Sequence, residues 1–265
     1  MRGPVRPAAT SHVDREREYY DQLYSGFAQE HFAKPAVAVF RRDLAARIIA
    51  RTRMTPSARV LSLGCGIGDT EMLLAPHAGE IVGVDLSAKA IQHASQQARA
   101  ADHRNLRFVG GEWQSVLDPD DRFRNDRFDI VLGIFFLHHL SDAELEALPT
   151  QLLRMLKPGG VVYALEPSRG RLSERVGKLL FPSLMRKYQT EDERALDGRQ
   201  TAATFRAAGF DAASHWFDFG SLPMAGLCPG AARLYRLSRW LDHGLIRVPL
   251  LNRWSNAFEL VATAG

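Results

Sequence analysis

The stretch VLSLGCGIGDTE, residues 60–71, is an apolar run that breaks into three glycines and then turns polar. A short apolar run, a glycine-rich turn and a new amphipathic segment predict strand, loop and helix in that order. The same alternation continues outward. Strands are expected at 59–64, 80–86, 105–111, 127–136, 161–168, 213–220 and 256–264. Helices are expected between them: 69–78, 87–101 with Ser87 as N-cap, and 199–210 ended by Gly209. A further helix begins at its cap Ser141 and stops at Pro158-Gly159-Gly160. Apolar strands alternating with amphipathic helices predict an α/β fold, with a parallel sheet covered on both faces.

Before this block the spacing predicts a short helix from Val13, carrying Tyr19, Tyr20, Leu23, Tyr24 and Phe27, and a second helix over 36–53. The chain thus divides into a tail and helical cap, 1–54, and a main domain, 55–265. Two connections, 169–198 and 220–255, are too long for ordinary loops and read as lids or substrate walls. The first contains FPSLMRKYQTEDERALDGRQ, whose Tyr188 and Glu191 are candidates to reach a second ligand.

Composition bounds the function. The 265 residues are 46% hydrophobic and 24% charged, ordinary values for a globular protein. No apolar run reaches 18 residues, and the N-terminus has no apolar core of a signal peptide, so a cytoplasmic protein is expected. Cys65 and Cys228 form no CxxC pair, and no acidic cluster reads as a magnesium site, so no metal is expected. The net charge is +4, and the segment 220–256 alone supplies it: Arg233, Arg236, Arg239, Arg247 and Arg253 against Asp242. A nucleic-acid binder spreads its basic charge more widely, so nucleic acid is not expected as a partner.

Ligands of open α/β sheets sit beyond the carboxyl ends of the strands. Gly64, Gly66 and Gly68 line that crevice and let the backbone approach a ligand closely. The spacing is GxGxG rather than the dinucleotide GxGxxG, and Asp69 stands where a pyrophosphate would be repelled. Asp85 ends the second strand, where an acid accepts two ribose hydroxyls. The loop therefore suits a nucleoside without phosphates, carrying a zwitterionic tail.

These segments resemble the class I S-adenosylmethionine-dependent methyltransferases of the small-molecule type, over about 55–168 and again over the last strands. The resemblance implies a Rossmann-like, doubly wound, mostly parallel seven-stranded sheet with an antiparallel last strand. It implies S-adenosylmethionine as cofactor, held by Gly64, Cys65, Gly66, Gly68, Asp85 and Leu86. Glu112, where the family usually has Asp, and Trp113 would meet the adenine, and Gly133 the methionine part. Tyr20 would close over the methionine end. FDIVLGIFFLHHL and LLRMLKPGGVVYALEPS are similar to the family's later motifs.

Methyl transfer to oxygen or nitrogen needs a base. His138 and His139 follow the fourth strand and Glu166 ends the neighbouring fifth. One histidine is therefore expected as general base and Glu166 as its orienting carboxylate. The alternative is packing of His139 under the helix from Ser141, with Glu166 bound to backbone amides. GIFFLHHL lacks the Asn/Asp-Pro-Pro-aromatic tetrapeptide of similar nucleic-acid amino-methylating enzymes.

In PGAARLYRLSRWLDHG, residues 229–244, Leu234, Leu237 and Leu241 recur at helical spacing beside Arg233, Arg236 and Arg239. Such a helix suits a membrane surface, a lipophilic acceptor pocket, a partner protein, or plain packing with its arginines in solvent. The expected reaction is methylation of a small molecule, on a hydroxyl of a lipophilic or lipid-linked metabolite, with peripheral membrane contact through 229–254. The alternatives are C-methylation of a quinone-like or isoprenoid substrate, and a non-catalytic S-adenosylmethionine-binding protein.

Overall fold

The computed structural model describes residues 12–24, 30–31, 33–116, 127–171, 194–249 and 251–265. The expectations for residues 1–11, Phe27, Tyr188 and Glu191 lie outside these. The N-terminal helices are α1 (His12–Leu23) and α2 (Pro35–Thr52). The alternating block then runs β1 (Arg59–Leu63), α3 (Asp69–Leu74), β2 (Glu80–Asp85), α4 (Ala88–Ala100), β3 (Leu106–Gly110), α5 (Trp113–Val116) and β4 (Phe128–Ile134). It continues through α6 (Asp142–Met155), β5 (Leu156–Pro167), α7 (Gly198–Ala207) and β6 (Phe210–Asp218). A hairpin of α8 (Ser221–Leu227) and α9 (Ala232–Leu245) precedes β7 (Ala257–Ala264).

The seven strands form one sheet in the order β3-β2-β1-β4-β5-β7-β6. β7 alone is antiparallel, pairing with β5 and β6. The switch from β1 toward β2 on one side and β4 on the other opens a crevice at the strand ends. Successive side chains point to opposite faces. Val60, Ile130 and Leu132 join Phe40, Leu44 and Ile48 of α2 on one face. Leu61, Val131 and Val162 join Leu148, Leu152 and Phe205 on the other. That two-sided burial explains why the strands read as continuous apolar runs.

A buried charge cluster anchors α2 on the sheet. Glu259 of β7 is fully buried and pairs with Arg47 at 2.5 Å and Arg51 at 2.6 Å. The Tyr163 hydroxyl donates to it at 3.1 Å. Removing both arginines would strand the Glu259 charge in the interior, so the cluster fixes where α2 lies.

Both predicted N-caps form. Ser87 accepts from the Ala90 amide, and Ser141 makes a reciprocal capping box with Glu144. Some boundaries differ from expectation: the helix expected over 199–210 ends at Ala207, and β6 starts at Phe210 rather than 213. α6 ends at Met155, and Pro158-Gly159-Gly160 lies inside β5, at a register break between Phe128 and Ile130 of its partner β4. α8 was not expected, because SLPMAGL holds a proline and a glycine. It forms because tertiary partners cap it: Asp242 accepts from the Gly220 and Ser221 amides, and Asp218 from the Leu222 amide.

Candidate active site

A cavity of about 480 Å³ opens at the carboxyl ends of β1, β2 and β4, within the range of small-molecule sites. Gly64, Gly66 and Gly68 all lie in the left-handed region, at φ +66°, +54° and +75°. A side chain at Gly66 would begin 2.7 Å from the Tyr24 hydroxyl, and one at Gly64 2.7 Å from the Phe136 ring. Close approach and positive φ together require glycine here.

Asp85 ties the loop down. One carboxylate oxygen accepts from the Gly66 amide at 2.7 Å and the other from the Ser87 amide at 2.9 Å. Burial pushes its pKa up, and those amides hold it back. Each oxygen keeps a further lone pair. Cys65 is a packing residue: it is buried, burial pushes its thiol up, and its sulfur lies where a side chain at Gly83 would be.

Of the predicted cofactor residues, Tyr20, Gly64, Cys65, Gly66, Asp85, Leu86, Glu112 and Trp113 line the cavity. Gly68 and Gly133 stand behind that wall: Gly68 caps α3, where a side chain would clash with Phe108, and Gly133 lies within β4, where a side chain would meet Phe136 at ordinary distance. Trp113 packs edge-on to Phe136, with ring centres 6.3 Å apart.

The histidines separate into two roles. Glu166 is fully buried at the end of β5. One of its oxygens accepts from the Phe136 and Leu137 amides at 3.0 and 2.7 Å. The other lies 2.8 Å from His138 Nδ1. Glu166 thus meets two backbone amides and a histidine ring at once. The carboxylate is placed to accept a hydrogen bond from Nδ1–H, the tautomer that keeps the free lone pair on Nε2. His138 also lines the cavity. Phe135, just before this turn, sits at φ +54°, a strained conformation that redirects the chain into the site.

His139 uses both ring nitrogens on α1: Nε2 meets the Tyr20 hydroxyl at 3.0 Å and Nδ1 meets Glu16 at 3.1 Å. Through His139, and through Asp21 bonded to Ser87, α1 is fastened across the mouth of the glycine loop.

Several lining residues are not among the site residues expected from the sequence. Tyr24 stacks on Tyr20 and covers Gly66. Arg41 of α2 pairs with Asp69 at 2.7 Å and donates to Thr70. Glu71 is buried, and its pKa is raised to about 7 by burial, against the opposing Ser62 hydroxyl bond. Its Oε2 has no partner among the described residues. Only the fold reveals that this acid faces inward; three residues after Gly68, it reads as an ordinary helix acid. Among the described residues, no group of histidines, cysteines and acids is placed to hold a metal.

A family model described as a methyltransferase domain matches residues 60–160. The uncharacterized methyltransferase YcgJ of Bacillus subtilis is 30% identical over 144 residues, 52% of this chain and 54% of its own length. The chain thus spans about half the length of that relative. The demethylmenaquinone methyltransferase of Geobacillus stearothermophilus is 26% identical over 216 residues, covering 74% of this chain and 89% of its own. The solved magnesium protoporphyrin IX methyltransferase of Synechocystis, with bound SAH, shares the fold at TM-score 0.64 and 14% identity, over 95% and 99% of the two chains. The matched motifs, the strand order and the glycine cavity agree: residues 60–160 are a methyltransferase domain, similar to those of the class I S-adenosylmethionine-dependent enzymes.

Proposed function

We propose that the protein, working in the cytoplasm, transfers the methyl group of S-adenosylmethionine to a hydroxyl of a lipophilic small molecule. The cofactor fits the residues present. Asp85 takes the ribose hydroxyls with its remaining lone pairs. Glu112, Trp113 and Leu86 take the adenine end. Gly64, Cys65 and Gly66 offer bare backbone beneath it, with Gly68 and Gly133 shaping that backbone from behind. The unpartnered Glu71 oxygen takes the tail ammonium, and Tyr20 and Tyr24 close over that end. When bound, the cofactor supplies a methyl carbon already activated by a sulfonium.

The protein's remaining tasks are alignment and proton removal. His138 Nε2 accepts the acceptor's hydroxyl proton, and Glu166 holds the ring and stabilises the imidazolium that forms. Positioning of α1 falls to His139. The acceptor lies against the apolar wall of Phe40, Phe135, Leu222 and Ala225. A molecule of that kind dissolves in bilayers, and the 229–254 segment brings the enzyme to it. The observation that carries this reading is the buried His138–Glu166 pair at a cavity that has one apolar wall.

A quinone ring carbon is the second reading, favoured by the name of the Geobacillus relative. The test is incubation with methyl-labelled S-adenosylmethionine and host-cell extract, then partition between organic and aqueous phases. Alkali-stable O-methyl product in the organic phase, lost in His138→Ala, is expected. A ring-methylated product would select the second reading. Label in the water phase alone, or cofactor left intact, would overturn both.

A further inference from the structure

α9 is packed inside out. Its buried row is Tyr235, Arg239 and Asp242. Arg239 Nη1 donates to the Phe217 carbonyl at 2.8 Å, and its guanidinium lies 4.5 Å from the Phe217 ring centre. Asp242 caps α8, and the Tyr235 hydroxyl donates to Asp43 of α2. With that row spent on the domain, the leucine stripe faces solvent. Leu234, Leu237, Leu241 and Leu245 recur at three- and four-residue spacing and are all exposed. Trp240, 71% exposed, shares the neighbouring row with Arg233 and Arg236, both exposed. Leu227 and Val248, at the two ends of the hairpin, are exposed as well. Every exposed large hydrophobic side chain among the described residues belongs to this one segment.

A face of this kind is costly in water, and isolated surface leucines do not account for it. Its charge says what covers it. The only acid in 220–256 is Asp242, and that is buried. The exposed ionic groups on the hairpin are Arg233, Arg236 and Arg247, all cationic. A second copy docked face to face would bring these arginines together. An anionic bilayer surface meets both demands: it takes the leucines and Trp240 into its interfacial layer and the arginines at its headgroups. The hairpin also walls the cavity, through Leu222, Ala225 and Gly226 of α8. We propose that the exposed face of α9, with Leu237 and Trp240 as its apolar centre and Arg233 and Arg236 as its basic edge, docks on anionic lipid bilayers. Docking would set the cavity wall at the membrane surface. The inference extends the lipophilic-acceptor reading but does not need it.

The test is sedimentation with phosphatidylcholine vesicles, with and without phosphatidylglycerol, in the absence of cofactor and acceptor. It therefore reads docking alone, and a failed methylation assay would leave it untouched. Partition onto the anionic vesicles is expected to exceed that onto neutral ones by about tenfold or more, and to weaken with salt. Arg233→Gln with Arg236→Gln should remove about tenfold of it. Leu237→Glu with Trp240→Glu should abolish it while melting with the wild type. Trp240→Phe should lose the blue shift of tryptophan emission that vesicles induce in the parent. The proposal fails if the wild type stays in the supernatant, or if neither double variant changes its sedimentation. It also fails if the wild type self-associates with concentration and Leu237→Glu with Trp240→Glu makes it monomeric.

Discussion

The glycine loop and the α8–α9 hairpin form two walls of one cavity, and they obey opposite rules. Around the loop, residue type and position agree. Glycines sit where φ is positive, Asp85 sits where amides converge, and the strand leucines and valines are inside. In the hairpin the agreement is reversed. Leucines and a tryptophan face out, while an arginine and an aspartate are buried. Helical spacing gathers like residues onto one face, but it does not say which face meets the domain. Burial of Arg239 and Asp242 is tolerated because each is spent on backbone groups that would otherwise be unpaired. Each wall also holds one acid that burial pushes to about 7: Glu71 beside the loop and Asp218 beneath the hairpin.

The sharpest contrast lies between the two histidines of the cofactor wall. His138→Ala should lower the rate of label transfer by about 10²–10⁴-fold, the usual span for losing a general base. His139→Ala should act chiefly on cofactor affinity, because its partners Tyr20 and Glu16 belong to α1. Equal loss of turnover in both would remove the distinction drawn between them.

The reversal in the hairpin is tested by stability. Asp242→Ala leaves two amides at the start of α8 without their acceptor, and should cost about 2–4 kcal/mol by denaturant unfolding. A cost within the scatter of surface variants would mean that α9 is not held by its polar row.

The two acids give a pH experiment. Glu71 binds its proton more tightly in the folded protein, at about 7, than at its ordinary value of 4.5. Its contribution is therefore complete below the unfolded value and is lost as pH rises through that window, about 3 kcal/mol at most. Asp218, raised from 3.8 to about 7, acts in the same sense. Glu71→Gln and Asp218→Asn should each flatten part of the fall in melting temperature between about pH 4 and 7. With S-adenosylmethionine present, the Glu71 part should vanish in the parent, since an ammonium beside it favours the charged form, while the Asp218 part remains. Persistence of both would place the ammonium elsewhere.

The smallest effect is expected on the outer face. Leu237→Ser should change stability by no more than about 0.5 kcal/mol, as at other exposed sites. A loss comparable to that of Asp242→Ala would show that the leucine row is buried in solution.

The motif block was legible because its constraints are local. A glycine with positive φ, a cap hydroxyl or an apolar strand announces itself within a few residues. His138, His139 and Glu166 were placed in one neighbourhood because the fourth and fifth strands pair, but their roles were not separable. What separates them is α1, which arrives from more than 100 residues away and occupies both nitrogens of His139 alone. Gly68 and Gly133 showed a related limit: the loop pattern marks the glycines, but only packing tells which ones face the cavity.

By itself, then, the sequence determined the alternation of strands and helices, the glycine loop, the acid at the end of β2 and the methyltransferase motifs these make up. Each depends on backbone chemistry that operates over a few neighbouring residues. The tertiary structure decided the rest. It turned Glu71 inward, stood Tyr24 over Gly66, chose His138 for the carboxylate, made a helix of SLPMAGL and set the leucines of α9 outside. These outcomes depend on which distant groups meet once the sheet closes, and on which buried polar atoms must find partners there.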